Sequence, residues 1–148
     1  MTKRGECPVI SFALRSYFCY HENNENIFME AKTLAAITQL TSIEQWKAAL
    51  ERSRSRPMLI FKHSTQCPVS AGAHEELMNY VADAEQGPVD FAIVHVIEDR
   101  PVSNDIAETL GVTHKSPQAI LVQDGQPVWD ESHWRITYDF LSERLKEA

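Results

Sequence analysis

Two segments constrain the fold of this chain most strongly: the continuous apolar run 57–61 (PMLIF) and the largely apolar run 89–97 (VDFAIVHVI). A strand covered on both faces reads as a continuous apolar run, whereas a half-exposed strand alternates apolar and polar residues. A helical pattern lies between the runs, so the three segments predict a βαβ unit with parallel neighbouring strands. The apolar positions of the helical pattern are Ala73, Leu77, Val81 and Ala84.

Two further elements are predicted before this unit. Residues 32–37 (KTLAAI) are expected to form a short first strand. Ser42 and Gln45 then match a capping box, in which the two side chains satisfy free backbone amides of a first helical turn. A helix is therefore predicted over 41–53 (TSIEQWKAALERS).

Three elements are predicted after the unit. Residues 104–112 indicate a short helix, and 118–129 a hairpin with an Asp-Gly dipeptide as its two-residue turn. Pro127 cannot donate to a strand ladder, so its strand is expected at a sheet edge. An amphipathic helix over 136–148 completes the order (β)αβαβαββα, which predicts one α/β domain around a mixed sheet.

Composition excludes several classes of protein. The 148 residues carry a formal net charge of −7, which argues against a nucleic-acid partner because such proteins usually show a basic stripe. No apolar run reaches the length of a membrane span, so no membrane partner is expected. Three cysteines, at positions 7, 19 and 67, are too few for a disulfide framework. We therefore expect a cytoplasmic protein in a reducing compartment.

Residues 1–28 are expected to lie outside the folded domain, which is predicted to span 29–148. The segment has no sustained helical or strand period and ends in a polar cluster at 21–26. Arg15 interrupts its apolar stretch and no small-residue cleavage site follows, so a secretory signal peptide is not expected. Met29 is an alternative start of the chain.

Cys67 is the candidate reactive residue because it stands between the first buried strand and a helix that Pro68 opens. Proline suits the first helical position, since its φ is fixed near the helical value and its missing amide hydrogen would be unpaired. Free amides and the positive end of the helix dipole then face the sulfur and favour the thiolate by about 1 kcal/mol. The alternative interpretation is a buried or capping cysteine that takes no part in a reaction.

Pro117 is a second candidate, because it directly precedes the predicted hairpin in the stretch SPQAILV. In thioredoxin-like folds, a cis-proline at this place lies against the active-site cysteine. A cis bond before proline is a minority state that the fold has to enforce. A trans proline that merely begins a strand is the alternative.

Three stretches together resemble the monothiol bacilliredoxin family of thioredoxin-like proteins, over about residues 30–148. They are FKHSTQCPVS at the cysteine, SPQAILVQDG at the proline and SHWRIT at 132–137. The cysteine stretch of the family usually reads Thr-Cys-Pro-Ile-Ser, so Gln66 and Val69 are mild departures. The resemblance implies a thioredoxin-like fold with a mixed central sheet flanked by helices, and a thiol-disulfide oxidoreductase activity.

The resemblance also implies a substrate, bacillithiol, which is a small cysteine-containing sugar malate. Ser70 occupies the place of the second cysteine in a dithiol motif, so no internal disulfide can form across the motif. Cys67 would accept bacillithiol from a client protein's mixed disulfide, and a second bacillithiol or a reductase would then clear it. Bacillithiol is thus expected as a co-substrate, bacillithiolated proteins as clients, and no cofactor as bound.

The supporting residues each have an ordinary alternative. Ser70 donates to the thiolate or is a plain first-turn serine, and His63 raises the local positive potential or is an exposed loop histidine. The backbone of Ser116 is expected to pair with the substrate chain, as in thioredoxin-like folds. Three more residues would meet the malate carboxylates or are simply solvated: Lys62, His114 and Lys115.

Other functions receive less support from the sequence. No histidine or cysteine pair has metal-ligand spacing, and no glycine loop suited to a nucleotide is present. A thioredoxin-fold binding module with an incidental cysteine is the main alternative, and a thiol peroxidase lacks an arginine close in sequence to Cys67. Cys7 or Cys19 is an alternative resolving thiol. His133 and Trp134 match the family, but the sequence assigns them no physical role. Trp134 is expected in the core.

Overall fold

The protein is described by a computed structural model that covers residues 36–84 and 87–148. The predicted extension over 1–28 lies outside these residues, and so do Cys7, Cys19 and the domain boundary at residue 29. These predictions therefore stay predictions.

The described residues form one five-stranded mixed sheet with helices on both faces, as expected. The strand order is β1-β3-β2-β4-β5, with β1, β3 and β2 parallel and β4 and β5 antiparallel to their neighbours. The elements in chain order are β1 (Ile37–Gln39), α1 (Ile43–Arg52), β2 (Met58–His63), α2 (Pro68–Asp83), β3 (Asp90–His95), α3 (Arg100–Leu110), β4 (Gln118–Gln123), β5 (Gln126–Ser132), a short 3-10 helix (His133–Arg135) and α4 (Tyr138–Leu145).

Strand β2 is the centre of the sheet, and all six of its residues are buried. Leu59 and Phe61 belong to the apolar cluster beneath α2 and α4, whereas Met58 and Ile60 belong to the cluster beneath α1 and α3. Successive side chains of a strand point to opposite faces, so a strand between two helical layers has no polar face. This arrangement explains the uninterrupted apolar run, and the parallel pairing of β2 with β3 is confirmed.

Helix α2 begins at Pro68, with Cys67 as its N-cap in an extended conformation (φ −106°, ψ 121°). Three of the four predicted apolar positions are buried against the sheet. The fourth, Ala84, is the C-cap with ψ 118° and does not belong to the helical face, because the helix ends one residue earlier. The buried three are Ala73, Leu77 and Val81.

Helix α1 begins as predicted, with one difference in the capping box. The Ser42 hydroxyl accepts from the Gln45 amide at 3.2 Å. The Gln45 carboxamide oxygen accepts from the backbone N–H of Thr41 at 2.8 Å, one residue before the N-cap. Both side chains still satisfy backbone donors, so the helix start is fixed as the pattern required.

Two predicted boundaries were wrong. The first strand was expected at 32–37 but lies at Ile37–Gln39, because pairing with Phe91–Ile93 of β3 sets its position; residues 32–35 lie outside the described part. Helix α3 begins at Arg100, before the predicted start at 104. Pro101 lies in the first turn, where its missing N–H has no helical partner to lose, so it does not interrupt the helix.

The hairpin prediction is confirmed. Asp124 and Gly125 have φ of 54° and 72°, the paired left-handed conformations of the two-residue turn that fits twisted strands. Strand β5, which contains Pro127, lies at the edge of the sheet. The hairpin thus places Pro117, just before β4, at the same end of the sheet as the carboxyl end of β2, because Gln118 pairs with Lys62.

Candidate active site

Cys67 occupies the position that the sequence predicted, between the carboxyl end of β2 and the first turn of α2. Its thiol is free and half-buried, and its side chain makes no capping hydrogen bond. The Cys67 carbonyl accepts the first helical hydrogen bond, from Ala71 at 3.0 Å. The amides of Val69 and Ser70 precede this bond and have no partner within the helix. The sulfur therefore lies at a helix N-terminus, where negative charge is stabilised.

Pro117 is preceded by a cis peptide bond, as expected for this fold. The ring is buried, and the Pro117 carbonyl accepts from the backbone N–H of His133 at 3.1 Å. His133 opens the 3-10 helix with φ of 59°. The stretch at 132–137, which the sequence singled out without a role, therefore supports the proline loop at the candidate site.

Ser70 takes neither of its two predicted roles. Its hydroxyl is completely buried, accepts from the backbone N–H of Ser64 at 2.9 Å and lies 2.8 Å from His63 Nδ1. The amide can only donate, so the hydroxyl proton is free to point at the imidazole. No hydrogen bond joins Ser70 to Cys67 in the described part of the chain. Ser70 ties the first turn of α2 to the end of β2 and to the turn that carries the cysteine.

His63 is not an exposed loop residue. It is the last residue of β2 and is buried, because it faces the α2 side of the sheet. Its ring stacks on His74 with centroids 4.7 Å apart and meets His95 edge-on at 5.7 Å. Burial, and then these two neighbouring imidazoles, lower the pKa of His63 below 6.5. His63 is therefore neutral near pH 7 and does not supply the positive potential that was expected there.

Lys62 is not solvated either. Its side chain is 0% exposed, on the opposite face of β2 from His63, and its ammonium lies 3.2 Å from Nδ1 of His114. Burial lowers the pKa of Lys62 to about 8. A buried ammonium cannot meet a substrate carboxylate directly, so the predicted contact with malate is wrong for Lys62.

The loop between α3 and β4 carries the remaining candidates. His114 and Lys115 are exposed, as a substrate-facing role requires. Ser116 is half-buried, and its hydroxyl oxygen has no hydrogen-bond partner among the described residues. The roles of these three residues stay predictions.

Sequence reasoning missed the residue that organises this loop. Gln118 is completely buried at the start of β4. Its amide donates to the Thr113 carbonyl at 3.0 Å and to Asp130 Oδ2 at 3.2 Å, and its oxygen accepts from the Lys115 amide at 3.3 Å. A buried glutamine with every polar atom used is a strong constraint on loop shape. The only sequence signal is its place directly after the proline.

Trp134 is exposed rather than part of the core. The 3-10 helix at His133–Arg135 turns its indole outward, and 79% of the residue is accessible. Two other aromatic residues nearby in sequence do pack against the core, since Trp129 of β5 meets Phe140 edge-on at 5.4 Å. An apolar residue type alone does not show which side of a tight turn it will face.

Within residues 36–84 and 87–148, no group of three or more histidine, cysteine, aspartate or glutamate side chains is arranged to hold a metal ion. None of the helices in this part combines the length and the apolar content that a bilayer span requires.

Replacing Ser70 with alanine tests the hydrogen-bond network beneath Cys67. The substitution leaves the buried Ser64 amide without an acceptor, so we expect the free energy of unfolding to fall by about 1–3 kcal/mol in urea titrations. Ser55→Ala is the control, because Ser55 is exposed and its loss should cost less than about 0.5 kcal/mol. Equal effects of the two substitutions would contradict a stabilising role for the network.

Buried His63 and half-buried His74 predict a pH dependence of stability. Burial first, and then the nearby His95, also lower the pKa of His74. The unfolded chain binds protons near pH 6.5 more readily than the folded one, so the free energy of unfolding should decrease as pH falls below about 6.5. His74→Phe keeps a stacked ring without a proton site and should make this decrease smaller.

Urea titrations between pH 7.5 and about 5 would measure the effect of His74→Phe. His133→Asn is the matched control, because His133 is exposed and asparagine tolerates its left-handed backbone. An unchanged pH slope in His74→Phe would show that His74 does not contribute to acid sensitivity.

Comparison with known proteins agrees with this geometry. The sequence model of the family described as monothiol bacilliredoxin BrxC matches residues 38–141. A solved structure described as a candidate oxidoreductase with a thioredoxin fold is 29% identical, with a TM-score of 0.64, and the match covers 72% of this chain and 91% of that one.

Two thioredoxins share the fold at lower identity. The one from Trypanosoma brucei brucei is 14% identical with a TM-score of 0.63, covering 82% of this chain and 96% of that one. The one from Nicotiana alata is 18% identical with a TM-score of 0.62, covering 78% and 94%. The fold is thioredoxin-like, and the family match indicates a thiol redox role. The chain belongs to the monothiol bacilliredoxin family.

Proposed function

We propose that this protein is a monothiol oxidoreductase that removes bacillithiol from protein mixed disulfides through Cys67. The observation that carries the proposal is the uncapped Cys67 thiol at the N-terminus of α2, with no second sulfur one turn later. Ser70 at that place is already committed to Ser64 and His63. Membership of the monothiol bacilliredoxin family supports the same chemistry.

The proposed cycle has two exchange steps. The Cys67 thiolate attacks the bacillithiol sulfur of the client's mixed disulfide, and the client cysteine leaves as a thiolate. The new disulfide joins Cys67 to bacillithiol. A second bacillithiol thiolate then attacks the bound bacillithiol sulfur, which releases Cys67 as a thiolate and forms bacillithiol disulfide. Each step exchanges one sulfur–sulfur bond for another, so no further oxidant or reductant is required.

The helix N-terminus acts in both steps. It favours negative charge on Cys67, which makes the residue a better attacking group in the first step and a better leaving group in the second. His114 and Lys115 lie on the exposed loop that leads to Pro117, and we propose that they face the malate of bacillithiol. The backbone of Ser116 would pair with the extended part of the substrate.

The proposed cycle also implies a compartment and partners. Bacillithiolated proteins are the proposed clients, and bacillithiol or a separate reductase is the proposed source of electrons. Thiol exchange of this kind requires a pool of reduced thiol, so we propose a cytoplasmic location. Flavin, nicotinamide and metal cofactors have no part in the cycle.

Cys67→Ala should abolish transfer of bacillithiol from a bacillithiolated client protein, leaving only uncatalysed exchange. The measurement is intact mass over time, which follows loss of bacillithiol from the client and its appearance on the wild-type enzyme. Cys7→Ala and Cys19→Ala are the controls and should form the Cys67 adduct at the wild-type rate. Client release by Cys67→Ala at the wild-type rate would overturn the proposal, and so would a wild-type enzyme that never acquires bacillithiol.

Ser70→Cys should shorten the life of the bacillithiol adduct. A sulfur one helical turn after Cys67 can attack the adduct and expel bacillithiol, provided that the pair reaches disulfide geometry. Ser70→Ala is the control, because it removes the same hydroxyl without adding a thiol and should leave the adduct long-lived. An adduct of equal lifetime in Ser70→Cys and Ser70→Ala would contradict the idea that the serine prevents internal resolution.

A further inference from the structure

Lys62 is a buried cation without a carboxylate partner among the described residues. Its side chain is fully covered by protein, and the polar group within hydrogen-bond distance of its ammonium is Nδ1 of His114, at 3.2 Å. A buried ammonium without a counter-charge loses several kcal/mol of hydration and does not recover it from a neutral neighbour. Replacing it with an apolar side chain would remove this cost, so its presence calls for an anion beyond the described residues, and a bound ligand can supply one.

The contact with Lys62 determines how His114 is protonated. An ammonium has only donors, so Lys62 donates to Nδ1, and the imidazole carries its own proton on Nε2. The Ser103 hydroxyl lies 3.5 Å from the same Nδ1. Burial, followed by the charges of Lys62 and Arg100, lowers the pKa of His114. The ring is therefore neutral near pH 7 and has one N–H left for a ligand.

This N–H lies at the same end of the sheet as the reactive thiol. Lys62 pairs with Gln118 across β2 and β4, so the lysine is next to the start of the strand that Pro117 precedes. His114 is exposed, in the loop that leads into the cis bond between Ser116 and Pro117. The loop that carries His114 and the turn that carries Cys67 therefore both lie at this end of the sheet.

We propose that Lys62 and His114 form a subsite for a carboxylate of the low-molecular-weight thiol. His114 donates its Nε2–H to the carboxylate, and the buried Lys62 ammonium supplies the counter-charge from behind the ring. His114 is then a binding residue, and Lys62 is a positioning residue that acts through it. This inference rests on the proposed function, because the malate of bacillithiol provides the carboxylate.

Two donors that differ only in malate provide the test. The same client peptide carries either bacillithiol or cysteinyl-glucosamine, which is the same thiol without malate, and intact mass gives the second-order rate constant for transfer to Cys67. The wild type should accept bacillithiol about tenfold faster. Lys62→Met and His114→Ala should each lose this advantage, so that the ratio of their rate constants for the two donors falls to about one.

Lys47→Met is the matched control, because Lys47 is exposed on α1 and its loss removes the same formal charge. Neither rate should change in this variant. Methionine is close to lysine in length, and Lys62→Met removes a buried charge. The variant should therefore be at least as stable as the wild type at pH 7. If it nevertheless fails to fold, His114→Ala, which replaces an exposed side chain and leaves Lys62 in place, decides the question.

Three results separate failure of this subsite from failure of the proposed function. A wild type that transfers both thiols at the same rate overturns the carboxylate subsite and leaves the oxidoreductase function standing. Equal losses for both donors in His114→Ala also overturn it, since the residue would then act on Cys67 generally. A wild type that transfers neither thiol overturns the proposed function itself.

Discussion

The burial of β2 on both faces is the constraint on which the rest of the structure depends. Its apolar residues pack against the helices on both faces of the sheet, so the strand must run through the centre of the sheet. The chain then leaves the sheet at one defined point, and α2 begins after a short turn. Cys67 is delivered to the helix N-terminus by this geometry rather than by contacts of its own side chain.

The last two residues of β2 show how polar groups are accommodated at the end of a buried strand. Lys62 and His63 are adjacent, so strand alternation sends them to opposite faces. His63 remains neutral among other rings and uses its Nδ1 on the Ser70 hydroxyl. Lys62 has His114 as its neighbour and keeps a basic amine in the interior. His63 thus supports the cysteine turn, and Lys62 lies against a residue of the loop that leads to Pro117.

The proposed monothiol chemistry depends on how the position of the second cysteine is used. A serine there does more than omit a sulfur, because its hydroxyl joins β2, the cysteine turn and α2 through two hydrogen bonds. The proposed adduct on Cys67 therefore waits for an outside thiol. The proposed carboxylate subsite would select that thiol by its malate. The subsite would also give the buried Lys62 ammonium a reason to be retained, since a buried charge without a counter-charge is otherwise costly.

Local signals in the sequence determined the βαβ unit, the hairpin, the edge strand and the helix that begins after Cys67, because periodicity, capping and turn residues act over a few neighbours. Resemblance to the family added the cis bond before Pro117. Only the tertiary structure decided that Lys62 and His63 are buried, that Ser70 turns away from the sulfur and that Trp134 faces outward. Lys62 meets a histidine 52 residues away, and His63 meets rings from α2 and β3. Burial and the choice of hydrogen-bond partner depend on such distant contacts, which leave no periodic trace in the sequence.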